Sequence, residues 1–252
     1  MFKRLPLLLS YTGYLLLAPL LPLIIWQGKN TRKTALRLPE AEGPRSGAAG
    51  SAATAPLNIL HLGESTVAGV GVDQSGQGFT ANISKALETS DTDHHWQYIA
   101  QTGIDTSGLI QLVNKQDTIA DCSHLIITMG VNDTTGFSHR KLWRDNLKTL
   151  ANRIQQQNPV AEVLFTQVPP MHRFPALAKP LNLFLGLRAW QLNQELQLLC
   201  QQHHWRFIAI DLPLQPEWMA EDGYHPNAAG YRLWGEGVAN AILQKLATLR
   251  DD

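Results

Sequence analysis

The feature that most constrains the fold is a regular alternation of short apolar runs and longer amphipathic segments, which begins at Leu57. The apolar runs cover residues 57–62, 96–100, 124–129, 161–168 and 206–210. Segments with helical spacing of apolar residues lie at 78–89, 106–118, 139–157, 187–203 and 227–248. Nearly continuous apolar strands that alternate with helices are typical of a parallel sheet covered on both faces. The sequence therefore predicts a three-layer α/β/α sandwich with a five-stranded, mainly parallel sheet.

The N-terminal segment, residues 1–37, has a different character. Residues 5–26, LPLLLSYTGYLLLAPLLPLIIW, carry no charge, and a helix that rises about 1.5 Å per residue would cross a hydrocarbon layer of about 30 Å over this length. Trp26 would then lie at the interface. The pattern predicts membrane association through an N-terminal anchor. A signal peptide that is cleaved after export is the alternative, because Lys3 and Arg4 precede the apolar run. The side of the membrane stays open.

The distribution of charge separates this segment from the rest of the chain. Residues 1–39 contain six basic and no acidic side chains, so the remainder, with 15 basic and all 21 acidic side chains, carries a net charge of −6. An acidic main domain argues against nucleic acid as a partner. Residues 38–56 are rich in Gly, Ala, Ser and Pro and predict a flexible linker, and residues 57–250 predict one domain. The oligomeric state is not indicated.

The two cysteines, Cys122 and Cys200, have neither the spacing of a metal site nor that of a disulfide framework. Each adjoins an apolar segment. Since free cysteine prefers the protein interior, both are predicted to be buried thiols.

Three short polar motifs follow predicted strands, and a fourth lies in the loop before the last predicted helix. They are GES with Ser65, TGID with Gly103, GVND with Asn132, and DGYH with Asp222 and His225. In a parallel sheet, ligands bind at the carboxyl ends of the strands. Each motif alone has an ordinary reading as a helix cap, a turn or a structural histidine. The sequence around Ser65 also fails the phosphate-binding, dinucleotide-binding and nucleophile-elbow patterns.

The last motif changes the interpretation of the other three. Asp222 lies three positions before His225, within reach of its ring, and this pair supplies a base and the group that orients it. Such a pair lacks only a nucleophile, and Ser65 is the candidate.

Together the four motifs, in this order, resemble those of the SGNH (GDSL-like) hydrolase family. The resemblance extends from about Leu57 to the final helix and implies the flavodoxin-like SGNH hydrolase fold. It implies Ser65 as nucleophile, with His225 and Asp222 completing a catalytic triad. The implied oxyanion-hole donors are the Ser65 N–H, the Gly103 N–H and the Asn132 side-chain amide. It implies no cofactor, and no metal.

Three positions near the motifs need comment. Glu64 occupies a position where the family usually has Asp, and Thr102 one where Asn is common. We expect the longer Glu64 side chain to shift the nucleophile loop slightly without taking part in the chemistry. Asp133 is expected to support the Asn132 loop through local hydrogen bonds.

The stretch after the fourth strand, residues 168–190, is the part of the domain that indicates a substrate. It is rich in Pro, Leu and Phe, and its apolar side chains could form an acyl pocket or lid, or simply pack on the core. The candidates are Phe174, Leu177, Leu181, Phe184 and Leu185. With the N-terminal anchor, this stretch resembles the subgroup of SGNH esterases associated with long-chain N-acyl amino acid biosynthesis.

The sequence therefore predicts an esterase or lipase-like acylhydrolase that cleaves small-molecule or lipid esters or thioesters of apolar acyl chains. Two alternatives stay open. One is a carbohydrate O-acetyl esterase, and the other is a catalytically silent domain that binds a ligand or partner in the same crevice.

Overall fold

The computed structural model describes residues 5–50, 56–116, 119, 121–211 and 214–251. Within these residues, the sheet has six strands in the order β1-β3-β2-β4-β5-β6. Only β1 is antiparallel to its neighbour, and β2 to β6 run parallel. The strands are β1 (Ser46–Ala49), β2 (Leu57–Gly63), β3 (His94–Ala100), β4 (His124–Thr128), β5 (Glu162–Thr166) and β6 (Arg206–Ile208).

Helices cover the sheet in two layers. They are α1 (Leu5–Leu17), α2 (Leu21–Thr34), α3 (Phe79–Thr89), α4 (Thr106–Asn114), α5 (Val131–Thr135), α6 (Arg140–Gln157), α7 (Leu181–His203) and α8 (Ala228–Asp251). α3 packs on α8, whereas α6 packs on both α4 and α7. The predicted α/β sandwich with a mainly parallel sheet is confirmed.

The sheet has one strand more than predicted, because β1 lies within the segment predicted as a flexible linker. Its residues pair with β3 from Ser46 opposite Gln97 to Ala49 opposite His94. Small residues suit this edge: a Cβ added to Gly47 would lie 2.8 Å from the Trp96 ring. The prediction of a flexible linker over 38–56 is therefore wrong for β1. Residues 51–55 lie outside the described residues.

The core contains both cysteines and one fully buried histidine. Cys122 and Cys200 are free and buried, as predicted. His61 is fully buried on β2, with its two ring nitrogens 2.9 Å from the hydroxyls of Thr80 and Thr128. Burial lowers the pKa of His61 to about 3, so the ring packs in its neutral form.

The N-terminal helices α1 and α2 pack on α7. A short 3₁₀ turn joins them, and Pro19 and Pro22 each lie in the first turn of a helical segment, where proline is tolerated. By length and composition, Tyr11–Thr34 is apolar enough to cross a membrane, a property that signal sequences share. Contacts with α7 include the rings of Tyr14 and Phe184, whose centroids are 5.1 Å apart.

The helix α7 begins six residues earlier than predicted, at Leu181. Leu181, Leu185, Ala189 and Leu192 are all buried, so the apolar helical stripe is already present in the part of 168–190 that was assigned to a loop.

Candidate active site

The four polar motifs meet at one edge of the sheet. Gly63 at the end of β2 is in register with Ala100 on β3 and with Thr128 on β4. The segments that follow these three strands therefore leave the sheet side by side. They carry Ser65, Gly103 and, within α5, Asn132. The loop before α8 adds Asp222 and His225 to the same place.

Ser65, His225 and Asp222 form a continuous hydrogen-bonded line. The Ser65 Oγ lies 2.7 Å from His225 Nε2, and His225 Nδ1 lies 2.6 Å from Asp222 Oδ2. The other carboxylate oxygen accepts the backbone N–H groups of Tyr224 and His225 at 2.8 and 3.0 Å. Burial opposes ionisation of Asp222, but the hydrogen bonds from the ring and backbone of His225 outweigh it and lower the pKa of this carboxyl. The arrangement can draw a proton from Ser65.

The turn that carries Ser65 is fixed by its contacts with neighbouring elements. The Val70 N–H donates to the Ser65 carbonyl at 3.0 Å, and the buried Tyr231 hydroxyl on α8 donates to the Val70 carbonyl at 2.6 Å. Gly71 has a φ of +103°, and a Cβ there would lie 2.4 Å from the Pro226 carbonyl oxygen. The glycine thus allows the Ser65 turn and the His225 loop to touch.

Candidate hydrogen-bond donors line the same cavity as Ser65. The Asn132 Nδ2 donates one hydrogen to the Ile104 carbonyl at 2.9 Å, which orients the amide and leaves its second hydrogen for a ligand. Gly103 has a φ of +81° and, like Ser65 and Asn132, lines a cavity. Within the described parts of the chain, the backbone N–H groups of Ser65 and Gly103 have no acceptor. These donors suit an oxyanion.

Glu64 has a structural role that the sequence reasoning missed. Its buried carboxylate accepts the backbone N–H groups of Gly130, Val131 and Asn132, each at 2.9 Å. Burial raises the pKa of Glu64 to about 7, against the opposing effect of the three N–H groups. The residue joins the nucleophile loop to the Asn132 loop. Its partners lie 66 to 68 positions away, so no local pattern signals them.

Asp133 also supports the site, and one of its partners is distant in sequence. Its carboxylate accepts the Thr106 N–H at 3.0 Å and the Thr106 hydroxyl at 2.9 Å. Thr106 begins α4 and follows the Gly103 loop. Asp133 also has the expected local hydrogen bond, from the nearby Ser138 side chain, and in addition it links two of the segments that carry candidate donors.

An apolar cavity of about 660 Å³ opens beside Ser65 and His225, a size typical of small-molecule sites. The five predicted pocket residues, Phe174, Leu177, Leu181, Phe184 and Leu185, all line it.

Other walls of the cavity were not predicted. They come from α2, from Phe137 and from Met171. Among the residues that the structure describes, no cluster of three His, Cys, Asp or Glu side chains could hold a metal ion.

The site has a serine, a histidine and an aspartate in a hydrogen-bonded line, at the carboxyl edge of a parallel sheet and beside an apolar cavity. This is the arrangement of α/β serine hydrolases. Residues 61–233 match the model of the GDSL-like Lipase/Acylhydrolase family. The chain belongs to this family, and it is an ester hydrolase. No curated protein gave a match to the chain.

Solved structures share the fold at low sequence identity. A lipase/acylhydrolase from Enterococcus faecalis is 19% identical with a TM-score of 0.60, over 75% of this chain and 96% of that one. A psychrotrophic esterase from Pseudoalteromonas sp. is 18% identical with a TM-score of 0.58, over 75% and 98%. Phospholipase A1 from Streptomyces albidoflavus is 18% identical with a TM-score of 0.54, over 74% and 99%.

Proposed function

We propose that the chain is a membrane-associated serine esterase that cleaves carboxylic esters or thioesters of apolar acyl chains through an acyl-enzyme. The observation that carries this proposal is the line from Asp222 through His225 to Ser65 at the wall of an apolar cavity.

In the first half of the reaction, His225 Nε2 takes the proton of the Ser65 hydroxyl as Oγ attacks the ester carbonyl carbon. Asp222 keeps the proton on Nδ1 and stabilises the imidazolium. The carbonyl oxygen becomes an oxyanion, held by the N–H groups of Ser65 and Gly103 and by the Asn132 amide. When this intermediate collapses, the bond to the alcohol or thiol breaks, and the leaving group takes the proton from His225.

In the second half, water attacks the acyl group on Ser65. His225 accepts a proton from the water, and a second oxyanion forms in the same place. Its collapse breaks the bond to Oγ, which recovers the proton from His225. The products are a carboxylic acid and the free enzyme, so no oxidant, reductant or cofactor is consumed.

The apolar lining of the cavity supports the proposal that it holds the acyl chain of the substrate. Phe174, Leu177, Leu181 and Leu185 are each at most 6% exposed and line the cavity. An acetyl group would leave most of this surface without a partner, whereas a longer chain would cover it and gain about 0.8 kcal/mol for each methylene group that it buries. This favours long-chain esters over carbohydrate O-acetyl groups.

The apolar outer surface of the N-terminal helices supports association with a membrane through residues 5–26. Leu15, Leu16 and Trp26 are 73%, 80% and 63% exposed. We expect a wash with alkaline carbonate to leave the full-length chain in the membrane fraction. A soluble product that begins after residue 26, identified by mass spectrometry, would instead support a cleaved signal peptide.

Two measurements test the proposed chemistry. A fluorophosphonate probe should label the wild type at Ser65 and should not label the Ser65→Ala variant, because only an activated serine reacts. Rates on 4-nitrophenyl esters from acetate to dodecanoate should rise with chain length. Undiminished hydrolysis by Ser65→Ala would remove the mechanism, and a sharp preference for acetate would remove the long-chain assignment.

A further inference from the structure

The helix α2 forms one wall of the cavity that contains Ser65. Leu21, Ile24, Ile25 and Gly28 line the cavity together with the catalytic loops, and Ile24 is only 4% exposed. The Gln27 side chain fixes the helix: it donates to the Lys179 carbonyl at 2.8 Å and accepts the Leu181 N–H at 3.1 Å. α2 is therefore part of the site itself.

The two ends of this wall differ in chemistry. The first half of α2 is apolar and faces α7, whereas Lys29 and Arg32 line the cavity from the second half. Arg32 donates to the Thr135 carbonyl at 2.9 Å, and Thr135 lies three residues after Asn132. The cationic end of α2 thus lies beside the segment that carries Asn132.

Within the described lining, neither cation is paired with an acidic side chain. Among the described residues, no salt bridge involves Lys29 or Arg32. Glu64 is the one acidic residue in the described lining, and its oxygens already accept three backbone N–H groups. The nearby carboxylates of Glu64 and Asp222 are held by hydrogen bonds from the backbone and from His225. Lys29 and Arg32 therefore remain available to an anionic ligand.

We infer that Lys29 and Arg32 bind an anionic group on the alcohol part of the ester. The inference rests on the proposed function, in which the ester carbonyl lies at Ser65 and the acyl chain lies against Phe174, Leu177, Leu181 and Leu185. The preferred substrate class is then an amphipathic anion, with an apolar acyl chain on one side of the ester and a carboxylate or phosphate near it on the other. Arg32 suits such a group because a guanidinium can donate two parallel hydrogen bonds to it.

The test compares two chromogenic substrates that share an octanoyl chain. One is the neutral 4-nitrophenyl ester, and the other is the 3-carboxy-4-nitrophenyl ester, whose leaving group carries a carboxylate. Each kcat/KM is divided by the rate of alkaline hydrolysis of the same ester, which corrects for leaving-group reactivity. The ratio of the anionic to the neutral value does not depend on the fraction of active enzyme, so a partly unfolded variant can still be scored.

We expect the Lys29→Gln, Arg32→Gln double variant to lower this ratio about 10-fold, the scale of two partly exposed ionic contacts. Arg32→Lys, which keeps the charge, should retain most of the ratio. Lys33→Gln removes the same charge from the same helix at an exposed residue that does not line the cavity, and it should match the wild type. Added salt should lower the wild-type ratio.

The outcomes separate this inference from the proposed function. Hydrolysis of both esters that depends on Ser65, with the same ratio in the double variant and in Lys33→Gln, would overturn the anion site alone. Absence of any hydrolysis that depends on Ser65 would overturn the proposed function and the anion site with it. A ratio that falls in the double variant and recovers in Arg32→Lys supports the site.

Discussion

At the scale of single residues, the proposed oxyanion-hole donors have the most direct consequence for rate. Asn132 lines the same cavity as Ser65, and one hydrogen of its amide is donated to the Ile104 carbonyl. We expect Asn132→Ala to lower kcat by about 10²–10³ and to change KM little, because the amide contacts the oxyanion and hardly affects ground-state binding. Steady-state kinetics on an octanoyl ester measure both constants. Asn30→Ala, at an exposed residue of α2, is the control, and a fall in kcat below 10-fold for Asn132→Ala would contradict the role.

Glu64 makes stability depend on pH in a specific direction. Its pKa is raised by burial to about 7 from an ordinary 4.5, so the folded protein binds this proton more tightly than the unfolded chain does. The group therefore adds stability that is complete below pH 4.5 and is lost as the pH rises through about 7.

The Glu64→Gln variant tests this dependence. Glutamine has a single acceptor oxygen, so at least one of the three N–H groups loses its partner, at a cost of about 1–3 kcal/mol. We expect the free energy of unfolding to be lower in the variant, by more at pH 5 than at pH 8. Urea denaturation at both values measures it, with Glu42→Gln, an exposed carboxylate, as control. A larger loss at pH 8 than at pH 5 would contradict the raised pKa.

The residues differ in how far the sequence could predict them. Ser65, Asp222 and His225 were singled out because their chemical types, in their order along the chain, have few other uses together, and the structure places them in one hydrogen-bonded line. Glu64 was read only as a departure from a motif. Its function depends on backbone N–H groups that are distant in sequence and that carry no side-chain signature, so only the folded chain reveals it.

At the scale of elements, the contact between the Ser65 turn and the His225 loop depends on a glycine. We expect Gly71→Ala to lower kcat at least 10-fold and to reduce the free energy of unfolding by about 1–3 kcal/mol, because a Cβ meets the Pro226 carbonyl and the positive φ disfavours alanine. Activity and thermal unfolding measure these effects. Gly76→Ala is the matched control, since a Cβ there meets nothing within 4 Å. Equal behaviour of the two variants would show that the loops tolerate separation.

Element boundaries show the limit of local patterns. The five parallel strands were predicted because burial on both faces demands continuous apolar runs. β1 was missed because SGAA has the composition of a linker. Its small residues suit a strand that packs closely against the Trp96 ring. The early start of α7 was missed because the segment just before it is rich in proline, although the apolar residues from Leu181 onward already have helical spacing.

At the scale of the whole molecule, the N-terminal segment and the domain build one cavity together. Gly28 on α2 lines this cavity. A Cβ added to Gly28 would lie 4.0 Å from the Leu181 side chain, which is an ordinary van der Waals contact. We expect Gly28→Phe to fill part of the space for the acyl chain and to lower the dodecanoate to butyrate ratio of kcat/KM at least 10-fold. Asn30→Phe adds the same ring to α2 outside the described lining and should leave the ratio unchanged. An unchanged ratio in Gly28→Phe would exclude α2 from the acyl site.

The rim of the cavity has a consequence for how the enzyme would meet its substrate. Leu21, Ile25 and Phe137 line the cavity and are also 38%, 54% and 55% exposed, so its entrance is continuous with the apolar outside of α2. An enzyme that rests on a lipid film by this face samples substrate in two dimensions. Its rate would then follow the mole fraction of ester in the film and fall on surface dilution with inert lipid, even at constant bulk molarity.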